Sequence, residues 1–300
     1  MFFIRTNKAV QQRNRFVWFG EWVIGKQSFP QLVKRSGYSE RTLKRYFYEY
    51  LQNLPVFSVR PSEKVNLLID GTYFRKDLCL VVYRDNTIKY TQLYRITNGE
   101  WYEELSEDLA NLLQLGVRIE SITCDGHKAL LKAIRDICPH VVVQRCLIHI
   151  QRMSRIWLTQ KPQSTAGQSL RRIVNRLHLV RDNRSCNLWL HELAFWYSQY
   201  GDYLEAKSFN IRTKRYWFTH KLVRRAYMTI AKALPDMFHF LGNYDIPKST
   251  NGLESFFGHL KDHLRIHRGL SAQHRRNFIQ WYLYFRNNRV FEGIKHTDRK

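Results

Sequence analysis

The stretch VNLLIDGTYF, residues 65–74, decides how this chain is organised. Four of its first five residues are apolar, and so short a run bounded by a turn residue predicts a buried strand. Asp70 ends the run and Gly71 follows. A carboxylate there is costly unless it gains a partner, and a divalent metal ion is one possible partner. The alternative is that Asp70-Gly71 only forms a tight turn.

A second apolar run ends in the same way. Residues 119–124 lead into Asp125 and Gly126. Strands are expected over 78–84, 88–96 and the segment HVVVQRC (140–146), and helices over 101–115 and 127–137. The order βββαβαβ is that of a ribonuclease H-like domain, in which the first and fourth strands are parallel neighbours. Asp70 and Asp125 would then project from one sheet edge, where hard oxygen ligands suit two Mg²⁺ or Mn²⁺ ions.

A third carboxylate occurs late in the chain, in the segment STNGLESFFGHLK (249–261). Glu254 falls in the first turn of a predicted helix. A Glu at that place often only complements the positive helix end. A site built on two aspartates needs a further oxygen ligand, however, and this helix can deliver one.

Charge is the strongest global signal. The chain has 49 Lys+Arg and 25 Asp+Glu, a net charge of +24, yet residues 61–150 contain 11 basic and 12 acidic residues. A near-neutral block inside basic flanks indicates a polyanionic partner, most simply nucleic acid. The chain contains no run of 18 apolar residues and its N-terminus lacks the apolar core of a secretory signal, so we expect no membrane span. An acidic membrane surface is the alternative polyanion, but no basic amphipathic anchor stands out, so we expect no membrane partner. Its five scattered cysteines suit a reducing cytoplasm.

The N-terminal region predicts a helix-turn-helix over about residues 27–51. Two helical patterns flank Ser36-Gly37-Tyr38, and the second places Leu43, Phe47 and Leu51 on one face. The polar start of that second helix would contact DNA, through Arg41, Thr42, Lys44 and Arg45. The alternative is a plain helical hairpin with a solvated charged face.

The middle of the chain, residues 153–246, predicts an all-helical insertion into the sheet domain. Within it, residues 211–225 interleave cations with aromatic residues, which fits either a DNA-backbone track or a solvated helix face. The candidate DNA contacts are Arg212, Lys214 and Arg215. After Glu254, a basic run that could follow a phosphate backbone contains His259, Lys261, His263, Arg265, His267 and Arg268.

The segment CLIHIQR places Cys146 and His149 at i, i+3 on a helix. That pair can contribute to a zinc site, but no second pair with suitable spacing is evident. A half-buried cysteine with a hydrogen-bonded histidine is the alternative.

Taken together, IDGTYF, CDGHKAL, CLIHIQR and STNGLESFFGHLK resemble a DDE transposase of the Mutator-like group, as encoded by bacterial insertion sequences. The resemblance spans about residues 27–285. It implies that Asp70, Asp125 and Glu254 are the catalytic, metal-binding triad. It also implies that Cys146 and His149 support the site or the nearby DNA. Many relatives carry additional DNA-binding sequence ahead of the helix-turn-helix, so we expect a shortened N-terminal region here.

The resulting expectation is an α/β protein with four parts. Residues 1–60 form a helical DNA-binding region, 61–152 the first part of a ribonuclease H-like core, 153–246 the insertion, and 247–300 the final part of the core with C-terminal helices. The expected activity is Mg²⁺-dependent cleavage at element ends and strand transfer into target DNA. The expected partners are terminal inverted repeats, target DNA and further copies of the chain, at the bacterial nucleoid in the cytoplasm. The alternatives are a DNA-binding protein without catalysis, such as a repressor, and another ribonuclease H-like nuclease.

Overall fold

A computed structural model describes residues 8–75 and 78–288. The strands within these ranges are β1 (Val65–Arg75), β2 (Leu78–Asp85), β3 (Tyr90–Thr97), β4 (Ile119–Cys124), β5 (Val142–Arg145), β6 (Lys207–Asn210) and β7 (Arg215–Phe218). The α-helices are α1 (Lys8–Ile24), α2 (Phe29–Ser36), α3 (Glu40–Gln52), α4 (Tyr102–Gln114), α5 (Lys128–Ile137), α6 (Leu147–Leu158), α7 (Thr165–Arg176), α8 (Asn183–Glu205), α9 (Lys221–Ala233), α10 (Asn251–Ile266) and α11 (Ala272–Asn288). Short 3₁₀ helices lie at Leu177–Leu179, Leu234–Asp236 and His239–Leu241.

The first five strands form one mixed sheet in the order β3-β2-β1-β4-β5. The first three are antiparallel, whereas β4 pairs parallel with both β1 and β5. The expected βββαβαβ order and the parallel pairing of the first and fourth strands are therefore confirmed. Helices α4 and α5 make the crossovers that parallel pairing requires.

Each face of the sheet is covered by helices. Leu67 and Ile69 of β1 pack with α4 and α5 on one face. Leu68 points to the other face, where it joins a core built from α1–α3, α10 and α11. Because side chains alternate along a strand, Asp70 shares the face of Leu68, beneath α10.

The N-terminal helices share this second core and do not enclose one of their own. Phe19, Trp22 and Phe47 belong to one apolar cluster with α10, α11 and the sheet, in which α1 and α3 lie against α11. Ser39 caps α3 by accepting from the Thr42 N–H at 3.2 Å, and Gly37 ends α2 with φ +72°. The apolar face predicted for the second helix is confirmed, because Leu43, Phe47 and Leu51 are fully buried.

Helices α6–α9 form a third core around Trp189 and Trp196. The prediction that this insertion is all-helical is wrong at one place, because β6 and β7 form an antiparallel hairpin. Its tip is fixed by the Asn210 side chain, which accepts from the backbone N–H groups of Arg212 and Thr213 at 2.9 and 3.1 Å. Local side-chain bonds of this kind compete with helix formation. Within the described ranges, no helix combines the length and apolar character needed to cross a bilayer.

Candidate active site

Asp70 lies where the parallel ladder between β1 and β4 stops. The last pair of that ladder is Ile69 with Cys124, so Asp70 and Asp125 each follow it directly. Strand β1 itself continues for five residues, and Asp70 pairs with Val82 of β2. The prediction that the strand ends at Asp70 is wrong, as is the tight-turn alternative. The two aspartates nevertheless lie on adjacent strands at one edge of the sheet.

The Asp70 carboxyl group is buried, with 8% of the residue exposed. Burial raises its pKa to about 7, and the negative charges of Asp125 and Glu100 add to the rise, whereas His149 opposes it. One backbone N–H, that of Gly71, donates to Oδ1 at 3.0 Å. Asp70 is thus a carboxylate whose charge is incompletely compensated, and a cation at this edge would stabilise it.

Asp125 is held by its own backbone and by β5. The His127 N–H donates to Oδ1 at 2.8 Å, and the Arg145 guanidinium donates to the Asp125 carbonyl at 3.1 Å. A Cβ at Gly126 would lie only 1.9 Å from that guanidinium, and the residue has φ +88°. Glycine therefore lets Arg145 fit directly beneath the turn that carries Asp125.

Glu254 is attached to the same cluster through α6. It lies in the first turn of α10, where a Cβ added at Gly252 would lie 3.5 Å from the Leu68 side chain. The Arg152 guanidinium pairs with Oε2 at 2.9 Å, and His149 Nε2 is 3.5 Å from Oε1. Within the described part of the chain, Glu254 Oε1 is buried without a hydrogen-bond partner. The structure therefore places Glu254 beside His149, and the charges of Asp70 and Asp125 contribute to the raised pKa of that imidazole.

Cys146 joins the starts of two helices. Its Sγ accepts from the Thr250 N–H at 3.3 Å and is 3.3 Å from His149 Nδ1. Burial opposes ionisation of the thiol, but the hydrogen bonds from His149 and Thr250 lower its pKa overall. The same contact with Cys146 raises the pKa of His149 to about 9, so the imidazole is cationic at neutral pH. Cys146 thus fixes both His149 and the helix of Glu254.

Glu100 is a fourth acidic residue at this edge, and sequence reasoning missed it. Its carboxyl carbon would lie 2.8 Å from a Cβ at Gly71. Burial and the neighbouring Asp125 raise its pKa. The available signal was the glycine after Asp70, since Gly71 leaves the space that Glu100 fills.

The donor types suit a hard divalent cation, because Asp70, Asp125 and Glu254 all supply carboxylate oxygens. Among the described residues, none donates a hydrogen bond to Glu254 Oε1. Across residues 8–75 and 78–288, no three His, Cys, Asp or Glu side chains are grouped as ligands of one ion. In this arrangement the Glu254 carboxylate is paired with Arg152 and His149 of α6.

The predicted DNA contacts occur on three separate surfaces. On α3, Arg41 and Arg45 are exposed, whereas Lys44 pairs with Glu40 at 2.6 Å and Thr42 bonds Ser39. Arg212, Lys214 and Arg215 are exposed on the hairpin of β6 and β7, and Lys261 is exposed on α10.

Two members of the basic run after Glu254 lie in the core instead. His263 and His267 bond the carbonyl oxygens of Ile24 and Trp22, each at 3.0 Å. These two histidines join α10 to α1 and are not available to a phosphate backbone.

A known protein family matches the middle of the chain. No curated protein matches the chain. Residues 94–261 match the family described as "Transposase, Mutator family". That segment begins in β3 and ends in α10, so it contains Asp125, Cys146, His149 and Glu254. With more than half of its length matched, the chain belongs to the Mutator family of transposases.

Proposed function

We propose that this transposase cleaves and joins DNA at the edge formed by β1 and β4, with Asp70, Asp125 and Glu254 as its catalytic carboxylates. One observation carries the proposal: the parallel ladder of β1 and β4 brings Asp70 and Asp125 to adjacent positions. It is supported by His149, which lies 3.5 Å from Glu254 and whose pKa is raised in part by the charges of both aspartates. The mixed sheet order 3-2-1-4-5 supports a ribonuclease H-like core.

Asp70 and Asp125 would hold divalent Mg²⁺ or Mn²⁺, with Glu254 as the further oxygen ligand. Two bound ions would supply Lewis-acid stabilisation of the charge that develops on the attacking and leaving oxygens. Arg152 and His149 orient the Glu254 carboxylate toward α6. Arg145 and the His127 N–H fix the turn that presents Asp125.

DNA would be held by the cationic surfaces around this edge. Residues 206–235 contain eight Lys and Arg residues and no acidic residue. Within this segment, the hairpin exposes Tyr216 and Trp217 by 70% and 46% beside Arg212, Lys214 and Arg215. Exposed rings among cations suit base stacking and backbone contact. Helices α2 and α3 would form the helix-turn-helix contact through Arg41 and Arg45.

The test is a cleavage and strand-transfer assay on a linear duplex that carries the DNA flanking the reading frame. Asp70→Asn, Asp125→Asn and Glu254→Gln should each lower the rate at least 100-fold in Mg²⁺, because each removes charge next to the reacting phosphate. Glu63→Gln is the matched control, since Glu63 is exposed just before β1, at the opposite edge of the sheet.

Full activity in any one of the three site variants would refute the role of that residue. Binding of the duplex with no Mg²⁺-dependent cleavage by the wild type would instead assign the chain to the DNA-binding proteins without catalysis. Cleavage of branched junctions, with linear ends left intact, would assign it to another nuclease class.

A further inference from the structure

A cationic pocket opens beyond Asp70, where β1 meets α10 and α11. Its volume is about 450 Å³. Among the described residues that line it, every charged side chain is a cation and two side chains are aromatic. These residues are Lys261, Arg265, Arg268 and Arg275, with Tyr73 and Phe74.

The pocket continues the candidate active site in one direction. Tyr73 lies three positions after Asp70 along the extended strand, which is about 10 Å. Lys261 lies seven positions after Glu254 along the helix, which is again about 10 Å. The elements that carry the first and third carboxylates therefore both reach the pocket over the same distance. A polymer with one phosphodiester at the carboxylates would place its neighbouring backbone here.

The cations of this pocket are accessible. Lys261, Arg265 and Arg268 are exposed. Arg265 pairs with Asp262 at 3.3 Å, but its side chain is 70% exposed, and surface pairs of this kind are weak. These charges can therefore meet phosphate without breaking a buried ion pair.

The aromatic wall gives the pocket a second kind of contact. Tyr73 is 49% exposed, whereas Phe74 is half-buried below the Lys261 ammonium group, which lies 5.7 Å from its ring centroid. An exposed ring beside several cations is the arrangement that binds single-stranded nucleic acid by stacking and phosphate contact. A single nucleotide fits within a pocket of this volume.

We propose that this pocket binds one unpaired DNA strand next to the scissile phosphate. Arg265 and Arg268 contact phosphates of that strand, and Tyr73 stacks on a base. The inference rests on the proposed function in taking DNA as the substrate. The inference adds to that function a binding site for single-stranded DNA between β1, α10 and α11.

The experiment measures binding of a fluorescein-labelled dT12 oligonucleotide in EDTA, between 50 and 200 mM salt. For single strands, each lost phosphate contact lowers the slope of log affinity against log salt by about 0.7. The double variant Arg265→Ala/Arg268→Ala should lower it by about 1.4 and weaken binding at least fivefold at 0.1 M salt. Tyr73→Ala should weaken binding at least fivefold, and Tyr73→Phe should bind like the wild type.

The matched control is Arg118→Ala/Arg135→Ala. It removes two exposed arginines, one just before β4 and one near the end of α5, at the opposite edge of the sheet, and should change neither slope nor affinity. Arg265→Lys/Arg268→Lys should keep the wild-type slope, which a merely structural loss would not allow. Equal thermal unfolding of all variants establishes that they are folded.

Identical slopes and affinities in the pocket and control variants would overturn the proposal. So would a defect confined to a 20-bp duplex, with dT12 binding unchanged. Because EDTA prevents metal-dependent cleavage, an absence of catalysis would leave this result untouched. Conversely, unimpaired dT12 binding by the pocket variant, together with normal cleavage, would refute the pocket alone.

Discussion

Asp70 is a buried carboxylate crowded by two other acidic side chains. Its pKa of about 7 has a definite consequence for stability without metal. The folded chain binds this proton more tightly than the unfolded chain, so the carboxyl group does not destabilise the protein below about pH 4. The destabilisation grows as the pH rises from about 4 to 7 and is then complete.

The first prediction is therefore that Asp70→Asn stabilises the metal-free protein. At pH 8 in EDTA we expect a gain of about 1–3 kcal/mol in the free energy of unfolding, because about three pKa units correspond to at most ~4 kcal/mol. Urea unfolding at pH 4.5 and pH 8 measures it, and the gain at pH 4.5 should be about a quarter of the gain at pH 8. Glu63→Gln serves as the exposed control.

The pKa of His149 is raised to about 9, mainly by the hydrogen bond with Cys146, so its effect on stability also falls as the pH rises, but in a higher pH range. Its stabilisation is present below about pH 6.5 and is lost as the pH rises through 9. Measurements at pH 8 and below keep the imidazole mostly charged.

An unchanged stability of Asp70→Asn at pH 8 would show that burial and the neighbouring negative charges do not destabilise the Asp70 carboxylate.

At the scale of elements, the decisive contact joins the starts of α6 and α10. Thr250 is fully buried, and its N–H and hydroxyl both donate to Cys146 Sγ. Glu254 follows one turn later. The position of the third carboxylate therefore depends on a cysteine 108 positions earlier in the chain.

The second prediction is that Cys146→Ala lowers the free energy of unfolding by about 2–3 kcal/mol, because it leaves the Thr250 N–H buried without its partner. The pKa of His149, followed by NMR, should fall from about 9 toward its ordinary value. Cys186→Ala is the matched control, since Cys186 is buried in α8 and lies in the core of the insertion. Cys186→Ala should cost less than Cys146→Ala and leave the titration of His149 unchanged. Equal effects of the two substitutions would show that Cys146 does not join α6 to α10.

At the scale of the whole molecule, the N-terminal helices and the hairpin of β6 and β7 differ in how much apolar surface they bury. Helices α10 and α11 cover Leu68, Leu80 and Val82 on the sheet, and helices α1 and α3 pack on α11 in turn. The hairpin of β6 and β7, in contrast, is largely exposed. The N-terminal helices are thus part of the main core, whereas the hairpin of β6 and β7 is an exposed part of the insertion.

The third prediction follows from that difference. Deleting residues 1–58 should leave the rest of the chain aggregated, because it uncovers the apolar side chains of α11 that α1 and α3 cover. Replacing residues 207–218 with a short Gly-Ser linker should keep cooperative unfolding and lower DNA affinity. Gel filtration and thermal unfolding test both variants. A soluble, cooperatively folded chain without residues 1–58 would show that the N-terminal helices form a separate domain.

Much of the sheet could be predicted from the sequence alone. The apolar runs ending in Asp-Gly indicated β1 and β4, and the βββαβαβ order made them parallel neighbours. That topology is enough to bring Asp70 and Asp125 together across 55 positions of sequence. Period-2 and period-3.6 patterns are local, so they are readable without knowledge of the remaining chain.

Only the tertiary structure decided what surrounds these residues. The approach of Glu100 to Gly71, the link from Thr250 to Cys146, and the burial of His263 and His267 all join segments that are distant in sequence or carry no periodic signal. The hairpin at β6 and β7 depends on a side-chain turn at Asn210. Local pattern determined the strands and the first two carboxylates, whereas packing between distant segments decided how they are held and what else lies beside them.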